Sequence, residues 1–172
     1  MGEDLEAFCA NNHARLVGAL ALFCGDRHLA EELAQEALLR ACERWRKVGQ
    51  MSSPVGWCYH VGVNLARSQF RRRAAERRAQ SRMGPPIEEP EHWDPDVPTS
   101  VDVVRSLQVL TDEQRSAVLL RYHLDLSADQ AAVVLGRTPE AVRALTHRAV
   151  VALREALGAD VVVGTEESSD VR

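Results

Sequence analysis

Apolar residues return at helical spacing from the start of the chain. Leu5, Phe8, Cys9, Leu16, Leu20 and Phe23 fall on one side of a helix predicted over about residues 4–23, and Gly25-Asp26 breaks it. Asp26 is suited to cap a second helix reaching Val48, with Leu29, Leu33, Ala37, Leu38, Ala41 and Trp45 as its inward stripe. The opposite face carries Glu32, Gln35, Glu36, Leu39, Arg40 and Glu43, acids in the early turns and bases in the last, as the helix dipole favours. Such a face is commonly just solvated. Leu39 among charges points instead to a surface that a partner covers.

A third helix opens at Ser53-Pro54, a capping residue followed by proline in the first helical position. At about 100° per residue, Trp57, His60, Asn64, Arg67 and Arg71 share one side, and Val55, Cys58, Gly62 and Leu65 the other. The polar side holds an aromatic ring, an amide and guanidiniums, the groups that stack on an unpaired base, read its edge and hold phosphates. The bland alternative makes Trp57 core and the arginines a solvated end. Beyond Arg71-Arg72-Arg73 the pattern predicts a weakly apolar basic tail ending near Arg82. Residues 83–100 then read as a linker, because Pro85, Pro86, Pro90, Pro95 and Pro98 exclude helix.

Past the linker, Thr111 to Gln114 and Ser127 to Gln130 read as capping boxes, with Val118, Leu119 and Tyr122 directed inward between them. Gly136 ends the helix that the second box opens, and Thr138-Pro139-Glu140 starts the next. Ala131 and Gly136 are small where two crossing helices approach. A short helix, a glycine turn and a longer helix make a helix-turn-helix. Val142, Leu145, Val150 and Leu153 form the buried side of the last helix, leaving Arg143, Thr146, His147, Arg148 and Arg154 available to phosphates and guanine edges. The fold class is therefore all-α, with two small helical domains, 1–82 and 101–158, an acidic proline-rich linker at 83–100 and an acidic, disordered tail at 159–172.

Charge sharpens this picture. The net charge of −4 conceals segregation: residues 40–82 hold eleven Lys and Arg against Glu43 and Glu76, whereas 83–104 hold acids and no bases. A basic block before an acidic connector fits a nucleic-acid binder, and Trp93 among those acids suggests a segment that folds back on the basic face. The start MGEDLEAF lacks the order of a signal peptide, and no apolar run is long enough for a membrane span, so a cytoplasmic protein without membrane insertion is expected. Cys9, Cys24, Cys42 and Cys58 form no CxxC pair and are expected as buried thiols. No cofactor, metal or catalytic site is indicated.

These stretches together resemble the extracytoplasmic-function (ECF) group of bacterial sigma-70 factors. AEELAQEALLRACERW is similar to the group's core-polymerase-binding helix, SPVGWCYHVGVNLARSQFRRR to its promoter-melting helix, and LTDEQRSAVLLRYHLDLSADQAAVVLGRTPEAVRALTHRAVVALRE to its C-terminal helix-turn-helix. The resemblance implies a transcription initiation factor, not an enzyme. Asn64 matches the position that holds a base flipped from the melted minus-ten element, and Trp57 the aromatic beside it; His60 lies on the same side, and Arg67, Arg71, Arg72 and Arg73 would hold the backbone. Arg143, Thr146, His147 and Arg148 would face the minus-thirty-five element. Glu32, Gln35 and Glu36, with Leu39 and Arg40, match the face that grips the largest polymerase subunit, and the C-terminal domain would dock on the second subunit. The implied partners are core RNA polymerase, promoter DNA and an anti-sigma factor, the chain being a monomer when free or held by an inhibitor. The recognition helix departs from the group's pattern: Ala141-Val142-Arg143-Ala144-Leu145 gives up one base and Val150 another. The residues alone leave open a dimeric helix-turn-helix regulator, which needs neither Trp57 nor Asn64 beside an arginine run.

Overall fold

The computed structural model describes residues 4–81 and 101–157, and every regular element among them is helical. The acidic connector with Trp93 and the tail 159–172 lie outside the described residues. The N-terminal half contains α1 (Leu5–Cys24), α2 (Arg27–Glu43), a single-turn α3 (Trp45–Val48) and α4 (Pro54–Ser81). The C-terminal half contains α5 (Val101–Gln108), α6 (Asp112–Val118) running directly into a π segment (Leu119–His123), α7 (Ala128–Leu135) and α8 (Pro139–Leu157).

Local chemistry sets the first joint. Gly25 adopts φ +73° and donates its N–H to Ala21 O at 2.8 Å, while the Asp26 carboxylate accepts from Leu29 N–H at 2.9 Å. Along α2 the fully buried Ala30, Ala34, Ala37 and Ala41 recur every three or four residues and make one side of the helix flat. α1 and α4 pack closely as a result. A Cβ added at Gly62 of α4 would stand 2.8 Å from Leu20 of α1, so glycine is required at that crossing. The second helix does not reach Val48 unbroken. The backbone turns at Arg44 and resumes as α3, which lays Trp45 over Phe8 with ring centroids 4.8 Å apart.

α4 begins as its sequence dictates, with Ser53 Oγ accepting from Gly56 N–H at 3.0 Å. Its buried side is Val55, Cys58, Tyr59, Val63 and Ala66. The helix then continues well past Arg73 to Ser81, where a basic tail was expected. Alanine and arginine in AAERRAQ are strong helix formers, and the Arg72–Glu76 pair at 3.1 Å bridges one turn. Residues 70–80 are exposed throughout, so this half of α4 projects as a basic rod.

Both capping boxes form: Thr111 with Gln114 closes at 3.0–3.3 Å and Ser127 with Gln130 at 2.9–3.1 Å. Gly136 ends α7 at φ +62°, and a Cβ there would meet nothing within 4 Å. Its value is therefore the left-handed backbone, not a close crossing; Ala131 alone fills that second role, fully buried. Tyr122 departs from its expected inward position, with 60 % of its surface exposed. The π segment explains this, since one extra residue per turn rotates Tyr122 outward and swings His123 toward α1.

The two halves do not stand apart. Their buried side chains, from Phe8 and Leu20 to Leu120, Ala131 and Val142, form one continuous core.

Candidate nucleic-acid interface

α4 brings Trp57, His60 and Asn64 onto one rim above the N-terminal core. Trp57 is half-buried against that core, which fixes its ring, while His60 and Asn64 are exposed. Trp57 is thus neither wholly core nor fully exposed. Desolvation by the neighbouring walls, then the Arg67 charge, depresses the His60 pKa and keeps its ring neutral near pH 7. Arg67 is half-buried and does not face open solvent as a free cation: its Nε donates to Asp112 Oδ2 at 3.0 Å, across to α6. Arg71, Arg72 and Arg73 are exposed along the projecting half of α4.

On α8 the starting cap is Thr138, whose Oγ1 accepts from Ala141 N–H at 3.2 Å. Val142, Leu145 and Ala149 turn inward, with Val150 and Leu153 half-buried. Arg143, His147 and Arg148 are exposed, Arg143 holding Glu140 at 2.9 Å in a surface pair that a phosphate can displace. Thr146 corrects the sequence reading. It is buried, and its hydroxyl donates to Val142 O at 2.8 Å within the helix, so it offers nothing to DNA. Helical phase places 146 one turn beyond 142 on the inward side, and threonine tolerates burial by bonding back to its own helix.

The outward face of α2 presents Glu32, Gln35 and Leu39, the last with 55 % of its surface exposed. Glu36 and Arg40 pair with each other at 2.8 Å, and His28 lies 3.5 Å from Glu32. These residues remain on one surface, clear of the packing between the two halves.

Sequence reasoning missed the groups that join the halves. Arg115 is buried, and its guanidinium donates to Leu107 O and Phe23 O at 2.9 Å each and to Leu110 O at 3.1 Å, 5.3 Å from the Phe23 ring centroid. Tyr59 Oη reaches Ser116 Oγ across the halves at 3.4 Å, while Arg137, in the turn of the helix-turn-helix, pairs with Glu113 inside the C-terminal half. Between α4 and the C-terminal half lies a cleft of about 80 Å³ beside Tyr59, His60, Val134 and Leu145, too small for a cofactor. No local signal in the chain marks the contacts across the halves, because those partners lie 57 and 92 positions away.

Of the cysteines only Cys58 is fully buried; Cys9 and Cys24 are half-buried and Cys42 is exposed, contrary to the expectation for all four. Burial pushes the Cys24 and Cys58 thiols up to about 12, which leaves them unreactive. Among the described residues no three His, Cys, Asp or Glu side chains converge as metal ligands, and no helix is long and apolar enough to cross a membrane.

Comparison with known proteins agrees with this geometry. Residues 9–76 match the model for Sigma-70 region 2, and residues 100–153 that for Sigma-70, region 4. The RNA polymerase sigma-E factor of Streptomyces coelicolor is 28 % identical over 160 residues, covering 91 % of this chain and 89 % of that protein. The ECF RNA polymerase sigma factor SigL of Mycobacterium tuberculosis is 31 % identical over 150 residues, 84 % of each chain. Among solved structures, the sigma factor RpoE of Bartonella quintana, crystallised with the anti-sigma factor NepR, superposes with a TM-score of 0.72 at 21 % identity, covering 91 % of this chain and 98 % of that one. The chain belongs to the sigma-70 family, in its ECF group, and is a promoter-recognising transcription initiation factor that directs RNA polymerase.

Proposed function

We propose that the rim of α4 receives the melted strand of the minus-ten element, while α8 enters the duplex at the minus-thirty-five element. The observation that carries this reading is the division of α4: one buried side locks it in the core, its rim offers Trp57, His60 and Asn64, and its far half is an exposed arginine rod. A rigid half-buried ring gives a stacking platform at little entropic cost, and Asn64 supplies both a donor and an acceptor to the edge of a flipped base. Arg67, Arg71, Arg72 and Arg73 hold the adjoining phosphates. On α8, Arg143, His147 and Arg148 face the major groove, with Thr146 excluded by its burial. Glu32, Gln35, Glu36, Leu39 and Arg40 form the surface that core polymerase covers, where Leu39 gains the burial it lacks in the free chain. RNA synthesis itself belongs to the polymerase, and this factor works with it in the cytoplasm.

An anti-sigma factor is included among the partners, since a protein that covers the α2 face and α8 together silences the chain. The central experiment mixes the purified chain with bacterial core polymerase and maps transcript starts on genomic DNA. Discrete starts that vanish with Asn64→Ala are expected. A chain that ignores core polymerase and binds duplex DNA as a dimer overturns the reading.

A further inference from the structure

We infer that Cys9 of α1 and Cys42 of α2 form a thiol-exchange site, at which a low-molecular-weight disulfide converts the pair reversibly to an internal disulfide tying the two helices together. The geometry begins at the Gly25-Asp26 joint. Cys9 and Cys42 stand equally far from it along the chain, one on each arm of the helical hairpin, and equal distances bring residues level when the arms run back to back. The neighbouring rings mark the same level: Phe8, beside Cys9, packs on Trp45, one turn beyond Cys42. Ala34, Ala37 and Ala41, all fully buried, keep the packed side of α2 thin, so no bulky side chain holds the arms apart. The Cys9 S–H hydrogen-bonds to Cys42 Sγ, which places the two sulfurs in direct contact. A disulfide between helices needs that close approach.

Exposure divides the roles. Cys42 is exposed and is the sulfur that a small reagent reaches, whereas Cys9 is half-buried beneath it. Burial, then the Cys42 charge and their hydrogen bond, raises the Cys9 thiol above its ordinary value, so Cys9 makes a poor first nucleophile. In the first step Cys42 Sγ bonds to one sulfur of the reagent, the reagent's S–S bond breaks, and the departing thiolate takes up the Cys42 proton. In the second step Cys9 Sγ bonds to Cys42 Sγ, the mixed disulfide breaks, and the Cys9 proton leaves with the second reagent thiol. The two cysteine sulfurs are oxidised, the reagent disulfide is reduced to two thiols, and excess thiol reverses the sequence. Cys58 of α4 lies behind the pair but is fully buried, out of the reagent's reach. Among the described residues no third His, Cys, Asp or Glu completes a metal site around these sulfurs.

The site bears on the proposed function. Seven residues at about 100° each bring Cys42 within about 20° of Gln35 around α2, on the face assigned to core polymerase. An adduct left on Cys42 would add bulk and charge to that face, and Cys9 removes it. The test incubates the full native chain with oxidised glutathione, blocks free thiols with N-ethylmaleimide and maps the peptides by mass. A Cys9–Cys42 linked peptide, lost on reduction, is expected, and this measurement needs no substitution. In Cys9→Ser a glutathione is expected to stay on Cys42, and in Cys42→Ser modification of Cys9 is expected to be at least about tenfold slower. An unmodified native chain, a glutathione retained on native Cys42, or a bond from Cys42 to Cys24, to Cys58 or to a second copy overturns the inference. A further arm rests on the polymerase assignment. The oxidised native chain is expected to bind core polymerase within about twofold of the reduced chain, and the Cys9→Ser adduct at least about tenfold more weakly. Equal binding by that adduct would overturn the assignment of the α2 face and leave the exchange site standing on its peptide map.

Discussion

Asn64 is exposed on a helix whose opposite side is core, so its replacement tests chemistry with little effect on the fold. Asn64→Ala is expected to lower strand opening about tenfold or more, the scale of one base-edge contact, while duplex binding through α8 stays near its native value. Permanganate reactivity of thymines against a gel-shift titration separates the two; equal losses count against base capture. Arg115 is the opposite case, a buried cation whose partners are main-chain carbonyls on both halves. Arg115→Met fills the space but strands those acceptors, and a loss of about 3 kcal/mol in urea unfolding is expected. The contrast shows what a sequence reveals at this scale. Asp26, Ser53, Thr111 and Ser127 were legible as caps because their partners lie three residues away. Arg115 and Thr146 were not, since an arginine that bonds a carbonyl 92 residues distant and a threonine turned inward look like surface residues in a linear pattern.

Helix ends and helix faces were readable where one rule dominates. Gly136 is an instance: its φ of +62° is demanded by the end of α7, and open space surrounds the missing Cβ. Gly136→Ala is expected to cost about 1 kcal/mol through backbone strain alone, visible as a lower melting temperature with DNA contacts unchanged. The length of α4 was misjudged because its last turns bury nothing, and amphipathic periodicity cannot report a helix that has no core side. Helix propensity and the Arg72–Glu76 pair sustain it instead. That rod has a measurable electrostatic role under the proposed function. Replacing Arg71, Arg72 and Arg73 by alanine is expected to reduce the slope of log affinity against log salt by roughly two to three, at about 0.7–0.9 per phosphate contact. An unchanged slope would place the phosphates elsewhere. The π segment lay beyond sequence reading altogether, for no local pattern marks it, and His123 within it meets the Arg15 carbonyl of α1, 108 positions away.

At the scale of the whole molecule, two all-α halves were legible from punctuation and charge, but their union was not, because it is made of contacts between α1 or α4 and helices beyond the connector. Two histidines at that union have their pKa values pushed below the ordinary imidazole value. His123 is depressed by burial, then by the charge of Arg15, with its bond to the Arg15 carbonyl opposing in part; Arg121 is the other base on its own segment. His60 is depressed by desolvation and by Arg67, and the cleft it lines also holds Glu113 and Arg137. Both rings are therefore favoured neutral in the folded chain, whereas once solvated they bind a proton near the ordinary imidazole value of about 6.5. Below that value the unfolded chain carries more protons than the folded one, so the contribution of these contacts to stability is full above about pH 6.5 and is lost as pH falls toward the depressed folded values. The urea-unfolding midpoint of the native chain is expected to fall as the pH is lowered from about 7.5 to about 5.5. His123→Gln, which can still donate to the Arg15 carbonyl but cannot titrate, is expected to flatten the response, and a pH dependence identical to native would assign it to other groups.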